Sequence, residues 1–230
     1  MTVVEICVDD VEGARAAERE GADRIELCAG LSESGITPSI GMVTATLAAV
    51  SRVGVQVLIR PRGGDFVYTR DEVQVMCADI RAICALPARV PVGFVLNALT
   101  SDGKIDRLTM AALLVACHGA PTTFSRAFDA TADPLTAADD LADLGVDRIL
   151  TGGGLGTAAE GRAALARLVQ RSPITVLAAG HIRSTNAAPL VAATSVPEIH
   201  LRAPGSGDAR ARTSATEVRA VVAAVRGITS

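Results

Sequence analysis

The stretch IRPRGGDFVY, residues 59–68, carries two arginines separated by a proline and followed by two glycines. Arg60 and Arg62 can each offer a planar fork of donors to a carboxylate or phosphate. Gly63 and Gly64 let the backbone turn tightly or approach a ligand. The competing reading is an arginine tied to buried glutamates. FSRAFDATADP, residues 124–134, adds Arg126 and Asp129. Together with Glu26 and His200, these residue types suit acid–base work on a small anionic metabolite. Arg60, Arg62 and Arg126 would hold the anion, Glu26 or Asp129 would act as base, and His200 as acid. Proton abstraction beside a carbonyl, or hydrolysis, fits the set. No nucleophile elbow or metal triad fixes the reaction. Lys104, the only lysine, sits in TSDGKID, which argues against a Schiff-base aldolase. A barrel that binds without catalysing remains the other reading of the same residues.

The elements that would position these residues follow from alternation. Short β-branched runs alternate with longer amphipathic segments along the whole chain, the pattern of parallel strands linked by crossover helices. Eight runs read as strands: Val3 to Val8, Arg24 to Cys28, Val55 to Ile59, Val92 to Leu96, Thr122 to Ser125, Arg148 to Thr151, Ile174 to Ala178 and Glu198 to Leu201. Helix starts are marked by Thr37 before Pro38, by Asp133 before Pro134, and by the capping boxes TRDE at 69, TAAE at 157 and SATE at 214. Pro189 predicts a seventh helix that is short or starts late. GADRIEL at 21 and GVDRILT at 145 nearly repeat one another, each placing a helix-ending glycine, one residue and then Asp-Arg before a strand. Eight such units in 230 residues, with no linker, predict one (β/α)8 TIM-type barrel domain over residues 1–230. A dinucleotide-binding open sheet would need GxGxxG at the first turn, and CVDDVEGA has none.

In the first two strands, Val4, Ile6, Val8, Ile25 and Leu27 alternate with Glu5, Cys7, Arg24, Glu26 and Cys28. The apolar set should face the helices and the polar set the barrel interior. By the same parity Gln56, Arg60, Asn97, Glu198 and His200 point inward. Glu5, Arg24 and Glu198 lie early in their strands and read equally as a structural ion-pair floor. The residues near strand ends should gather at the carboxyl mouth, where barrel chemistry sits. The glycine clusters TGGGLG at 151 and AAGHIR at 178 could offer backbone N–H groups to an anion or serve as hinges. His181 reads as a solvated loop residue, His118 as a helix end, and Cys77 and Cys84 as packing.

Composition narrows the classes further. With 22 Lys and Arg against 25 Asp and Glu, scattered singly, nucleic acid is not the expected partner. The acidic N-terminus MTVVEICVDD does not read as a signal peptide, and no apolar run approaches membrane-spanning length. Five cysteines without CxxC spacing fit free thiols in a reducing cytoplasm.

EICVD, GADRIELCAGLSESGITPS, IRPRGGDFVY, RAFD, GVDRILTGG and EIH, in this order, resemble the CutC family, named for copper homeostasis. The resemblance runs from Glu5 to about His200. It implies a (β/α)8 barrel, a cytoplasmic location, a homo-oligomer, and Cu(I) binding by two cysteines matching Cys7 and Cys28. Thiolates are the soft ligands Cu(I) selects, and the two residues fall on neighbouring strands at matching height. The competing reading is a pair of small buried hydrophobes. Three departures fall at the mouth: Ser125 replaces the family's histidine before RAFD, AAGHIR replaces a PGGG, and a short basic stretch, LRAPGSGDARAR, follows strand eight. If that histidine is an acid, base or ligand in the family, Ser125 does not supply its chemistry.

Overall fold

The computed structural model describes residues 1–154, 156–205 and 212–227. Eight parallel strands close into a barrel in chain order: β1 Val3–Val8, β2 Arg24–Leu27, β3 Gly54–Leu58, β4 Val92–Leu96, β5 Thr122–Phe124, β6 Arg148–Thr151, β7 Thr175–Ala178 and β8 Glu198–Arg202. The helices outside them are α1 Val11–Arg19, α2 Ile40–Ala49, α3 Arg70–Cys84, α4 Arg107–Ala116, α5 Pro134–Asp143, α6 Arg162–Arg171, α7 Ala187–Thr194 and α8 Ala215–Arg226. The chain is therefore a (β/α)8 barrel. Strand bounds differ from the sequence expectation by at most one residue at an end. None of the described helices is long and apolar enough to cross a membrane.

The repeated Gly–x–Asp–Arg corner has a physical explanation at each of its positions. Both helices end in the same six-to-one and five-to-two hydrogen bonds: Ala22 N–H to the Ala17 carbonyl and Gly21 to Glu18, then Val146 to Leu141 and Gly145 to Ala142. Gly21 and Gly145 take φ of 92° and 81°, a left-handed turn that a side chain would strain. Asp23 then accepts from the Val4 N–H at the start of β1, and Asp147 from the Thr122 N–H at the start of β5. The arginines that follow, Arg24 and Arg148, enter the barrel from β2 and β6 and both reach Glu198 on β8.

Capping sets most helix starts. Thr69 and Glu72 form a reciprocal box at α3, Asp133 caps α5 ahead of Pro134, and the Ser214 hydroxyl accepts from Glu217 N–H at α8. Two starts differ from expectation. Ser39 caps α2, because the Thr37 hydroxyl is engaged by the backbone of Arg60. Thr157 and Glu160 do pair, but they close a turn ahead of α6, which begins after Gly161. Pro189 sits in the first turn of the eight-residue α7, where it removes no helical hydrogen bond.

Val4, Ile6, Val8, Ile25, Leu27, Val55, Val57 and Ile59 belong to the core between barrel and helices. The barrel interior holds smaller apolar groups, Cys7, Cys28, Leu58 and Val95 in one and Leu150, Leu177 and Ala179 in another. The remaining interior is polar and charged: Glu5, Arg24, Glu26, Gln56, Arg60 and Asn97 are all buried. Gly93 on β4 has no side chain because the Gln56 amide and the Pro121 carbonyl occupy that space.

Candidate functional site

The floor of the barrel is an ion network. Arg24 donates through Nε to Glu5 and through its terminal nitrogen to Glu198, and Arg148 Nε lies 3.3 Å from the same Glu198 oxygen. Above it, His200 Nδ1 lies 2.7 Å from Glu5 Oε1, which leaves Nε2 facing Glu26 at 3.4 Å. Burial alone would raise the Glu5 carboxyl. The His200 hydrogen bond and the Arg24 charge overcome this and hold it at about 2. Burial likewise opposes the charged form of His200, but its hydrogen bonds to Cys7 and Glu5 and the charge of Glu26 lift it well above its ordinary value. Glu26 is lifted to about 7, chiefly by burial and then by the Glu5 charge, against the pull of His200.

Cys7 and Cys28 sit beside this cluster. The strand register sets Cys7 level with Glu26, not with Cys28, so the expectation of matching height is corrected. The thiols nevertheless meet diagonally, with Sγ atoms 3.5 Å apart, because Cys28 follows β2 and turns its side chain back toward β1. Both are buried. The Cys7 thiol is pushed well above its ordinary value, first by its hydrogen bond with Cys28 and then by burial. Cys7 Sγ, a Glu26 oxygen and a His200 ring nitrogen all lie within 4.8 Å of one another.

A cavity of about 330 Å³ opens above these groups and is lined by Cys7, Glu26, Cys28, Arg60, Ser125, Arg126, Asp129 and His200. Arg60 is only 4% exposed, and its guanidinium donates to the Glu33, Gly35 and Gly64 carbonyls while lying 4.9 Å from the Phe66 ring. No carboxylate among the described residues lies within ion-pair distance of it. Arg126 lies 2.8 Å from Asp129, whose other contacts are the Gly152 and Gly154 N–H groups and the Thr151 hydroxyl. The amides of the glycine cluster therefore already hold an anion, the protein's own; Leu155 of that cluster lies outside the described residues. Arg62 lies away from this cavity, bound to Glu72, Asp65 and the Val67 carbonyl and set 5.4 Å from the Tyr68 ring. His181 is exposed in its loop, and Ser125 caps the turn Arg126–Ala130 by accepting from Ala127 N–H.

The sequence reading missed several lining residues. Leu31, Ser34 and Gly35, from the loop after β2, form one wall, and Phe66 and Leu150 form others. The left-handed backbone of Gly30, Ser34 and Gly35 folds that loop over the mouth, and the run AGLSESG carries the glycine signal for it.

The CutC family model matches residues 2–205. The chain belongs to the CutC family. It is 43% identical over 208 residues, 90% of this chain and 75% of the relative, to the copper homeostasis protein cutC homolog of Homo sapiens. It is 40% identical over 204 residues, 88% and 82% of the two chains, to the family protein CutC of Glaesserella parasuis. The crystal structure of the CutC protein from Streptococcus agalactiae superposes with a TM-score of 0.81 at 30% identity, covering 87% of this chain and 98% of that one. Ser125 lines this barrel's cavity; of the basic stretch after β8, residues 206–211 lie outside the described residues.

Proposed function

We propose that this CutC-family barrel takes up Cu(I) between Cys7 and Cys28. The observation that carries the reading is the 3.5 Å approach of two buried thiols that line an open cavity. The donor set fits the ion: thiolate sulfur is soft, and Cu(I) selects it over oxygen donors. The Cys7 thiol is held protonated in the absence of metal, so uptake has to release a proton and should strengthen as pH rises. The neighbouring His200, kept cationic by Glu5 and Glu26, offsets the negative charge that two thiolates around a monovalent ion would leave. The test is titration of the reduced protein with Cu(I) against a chromophoric chelator. One equivalent is expected, and it should disappear in the Cys7→Ser/Cys28→Ser double variant. Equal, weak uptake by both proteins overturns the reading.

A second reading is favoured by one specific observation: Arg60 is buried at the cavity wall without a carboxylate partner. A buried cation is stabilised by a counter-charge, and a small anionic metabolite entering the cavity supplies one. Glu26, Asp129 and His200 are then the acid–base candidates and Arg126 a second anion contact, with Arg62 supporting the loop after β3. Arg60→Met separates the accounts, since loss of metabolite binding at retained stability supports this reading and loss of stability alone removes it. The five unpaired cysteines fit a reducing cytoplasm. The homo-oligomer that the family resemblance implies would draw on the outer face of α4, where Leu108 and Val115 are 87% and 73% exposed.

A further inference from the structure

We infer that Cys7, Glu26 and His200 form a second metal mode of this pocket, a site for a divalent ion of the Zn2+ class with an open position toward the cavity. It shares Cys7 with the copper reading but depends on neither Cys28 nor Cu(I). The donors are one sulfur, one oxygen and one nitrogen, all within 4.8 Å of one another. That mixture is the kind Zn2+ accepts, with three protein ligands and a fourth place left for water or substrate. A carboxylate has no use to Cu(I), whose preference is for thiolate and thioether. Glu26 is 5% exposed, and the charged group nearest to it, His200 at 3.4 Å, is itself one of the three donors. A Cys7 thiolate and a Glu26 carboxylate together neutralise a divalent charge.

The surroundings of the histidine point the same way. Metal-binding imidazoles commonly carry a carboxylate on the nitrogen away from the ion, which fixes the ring and raises its basicity. His200 has this arrangement, with Glu5 Oε1 2.7 Å from Nδ1 and Glu26 3.4 Å from Nε2. Arg24, itself anchored on Glu198, in turn holds Glu5 from below. All three donors line the same cavity of about 330 Å³, so the open position faces a space large enough for a small ligand.

The test uses the reduced full-length chain titrated anaerobically with Zn2+ against a chromophoric chelator, and with Co2+ as a spectroscopic stand-in. One equivalent of either ion is expected, with a single sulfur bound to cobalt by X-ray absorption. Glu26→Gln should weaken Zn2+ binding by about tenfold or more, since even outer-shell losses cost 10–100-fold, and should lower Cu(I) affinity by less, because Glu26 reaches the two thiols only through the His200 charge. Cys28→Ser should do the reverse. Absence of stoichiometric uptake, two sulfurs on cobalt, or indifference of Zn2+ to Glu26→Gln overturns the inference. Should Glu26→Gln fail to fold, the sulfur count on the unaltered chain decides. Zn2+ uptake that survives in a protein refusing Cu(I) sinks the copper reading and leaves this one standing.

Discussion

Replacing Arg24 by methionine keeps the aliphatic stem and removes the cation from the barrel floor. Glu5 and Glu198 then face one another without their shared partner. Glu198 retains Arg148 at 3.3 Å, so the burden falls on Glu5, which is 1% exposed. The folded chain holds Glu5 at about 2 against an ordinary 4.5. At 1.36 kcal/mol per unit that difference is worth about 3 kcal/mol, shared between His200 and Arg24. Stranding a buried charge costs roughly 3–5 kcal/mol in general, which agrees. Because the folded value is depressed, this contribution is fully present above pH 4.5 and is lost as pH falls through about 2. In Arg24→Met the carboxyl binds its proton at higher pH, so the penalty should be up to about 3 kcal/mol at pH 7 and shrink toward pH 4. Urea unfolding at both pH values measures it, and Glu5→Gln added to Arg24→Met should recover more than Glu198→Gln does. A loss below about 1 kcal/mol at pH 7, as for exposed pairs, would refute the buried network. So would a penalty that ignores pH.

Glu26 should produce the opposite slope in a neighbouring window. Its folded value of about 7 against 4.5 is a rise, so its stabilising share is full below pH 4.5 and gone above 7; metal-free protein should lose about 3 kcal/mol across that range, and Glu26→Gln should not. Gly93→Ala should destabilise by roughly 1–3 kcal/mol or more, read as a lower urea midpoint, because the added carbon would come within 2.5 Å of the Pro121 carbonyl and the Gln56 amide. Asp129→Ala should free the Gly152 and Gly154 N–H groups and speed their hydrogen exchange, at a cost of roughly 2–3 kcal/mol for the charged hydrogen bonds. Unchanged exchange would mean that Asp129 does not hold that loop.

What was legible in the sequence is what short-range chemistry decides. The Gly–x–Asp–Arg corners, the Thr69 box and the Asp133–Pro134 start are each settled within a few residues, and period-two alternation assigns Glu5, Cys7 and Glu26 to the inner face because a strand leaves no other choice. What stayed hidden depends on register and on loops. Alternation tells which face Cys7 and Cys28 share, but the stagger of the closed barrel decides that Cys7 is level with Glu26 and touches Cys28 on the diagonal. Arg60 has a strand-end position that any anion site would use, yet its forks go to the Glu33, Gly35 and Gly64 carbonyls, partners that carry no sequence signature. The same is true of Asp129, which a motif reading takes for a base and which sits on glycine amides.

The structural and chemical readings of the interior charges are therefore not rivals. Arg24 holds Glu5, Glu5 holds His200 Nδ1, and this chain of contacts directs Nε2 at Glu26 and Cys7. A floor that is costly to desolvate orients the one imidazole of the pocket, which is how supporting residues make a site rigid. Ser125 bears on this differently from the way its position suggests. It stands where the family resemblance places a histidine, but its hydroxyl is committed to capping the turn that carries Arg126 and Asp129. The donor cluster of Cys7, Glu26, Cys28 and His200 is assembled by β1, β2, the residue that follows β2, and β8 without it. Restoring Ser125→His should accordingly change what enters the cavity and leave metal uptake by the reduced protein as it was; a gain of tenfold or more in Cu(I) or Zn2+ affinity, the scale on which a metal site answers to a supporting group, would show that the mouth and the floor act as one site.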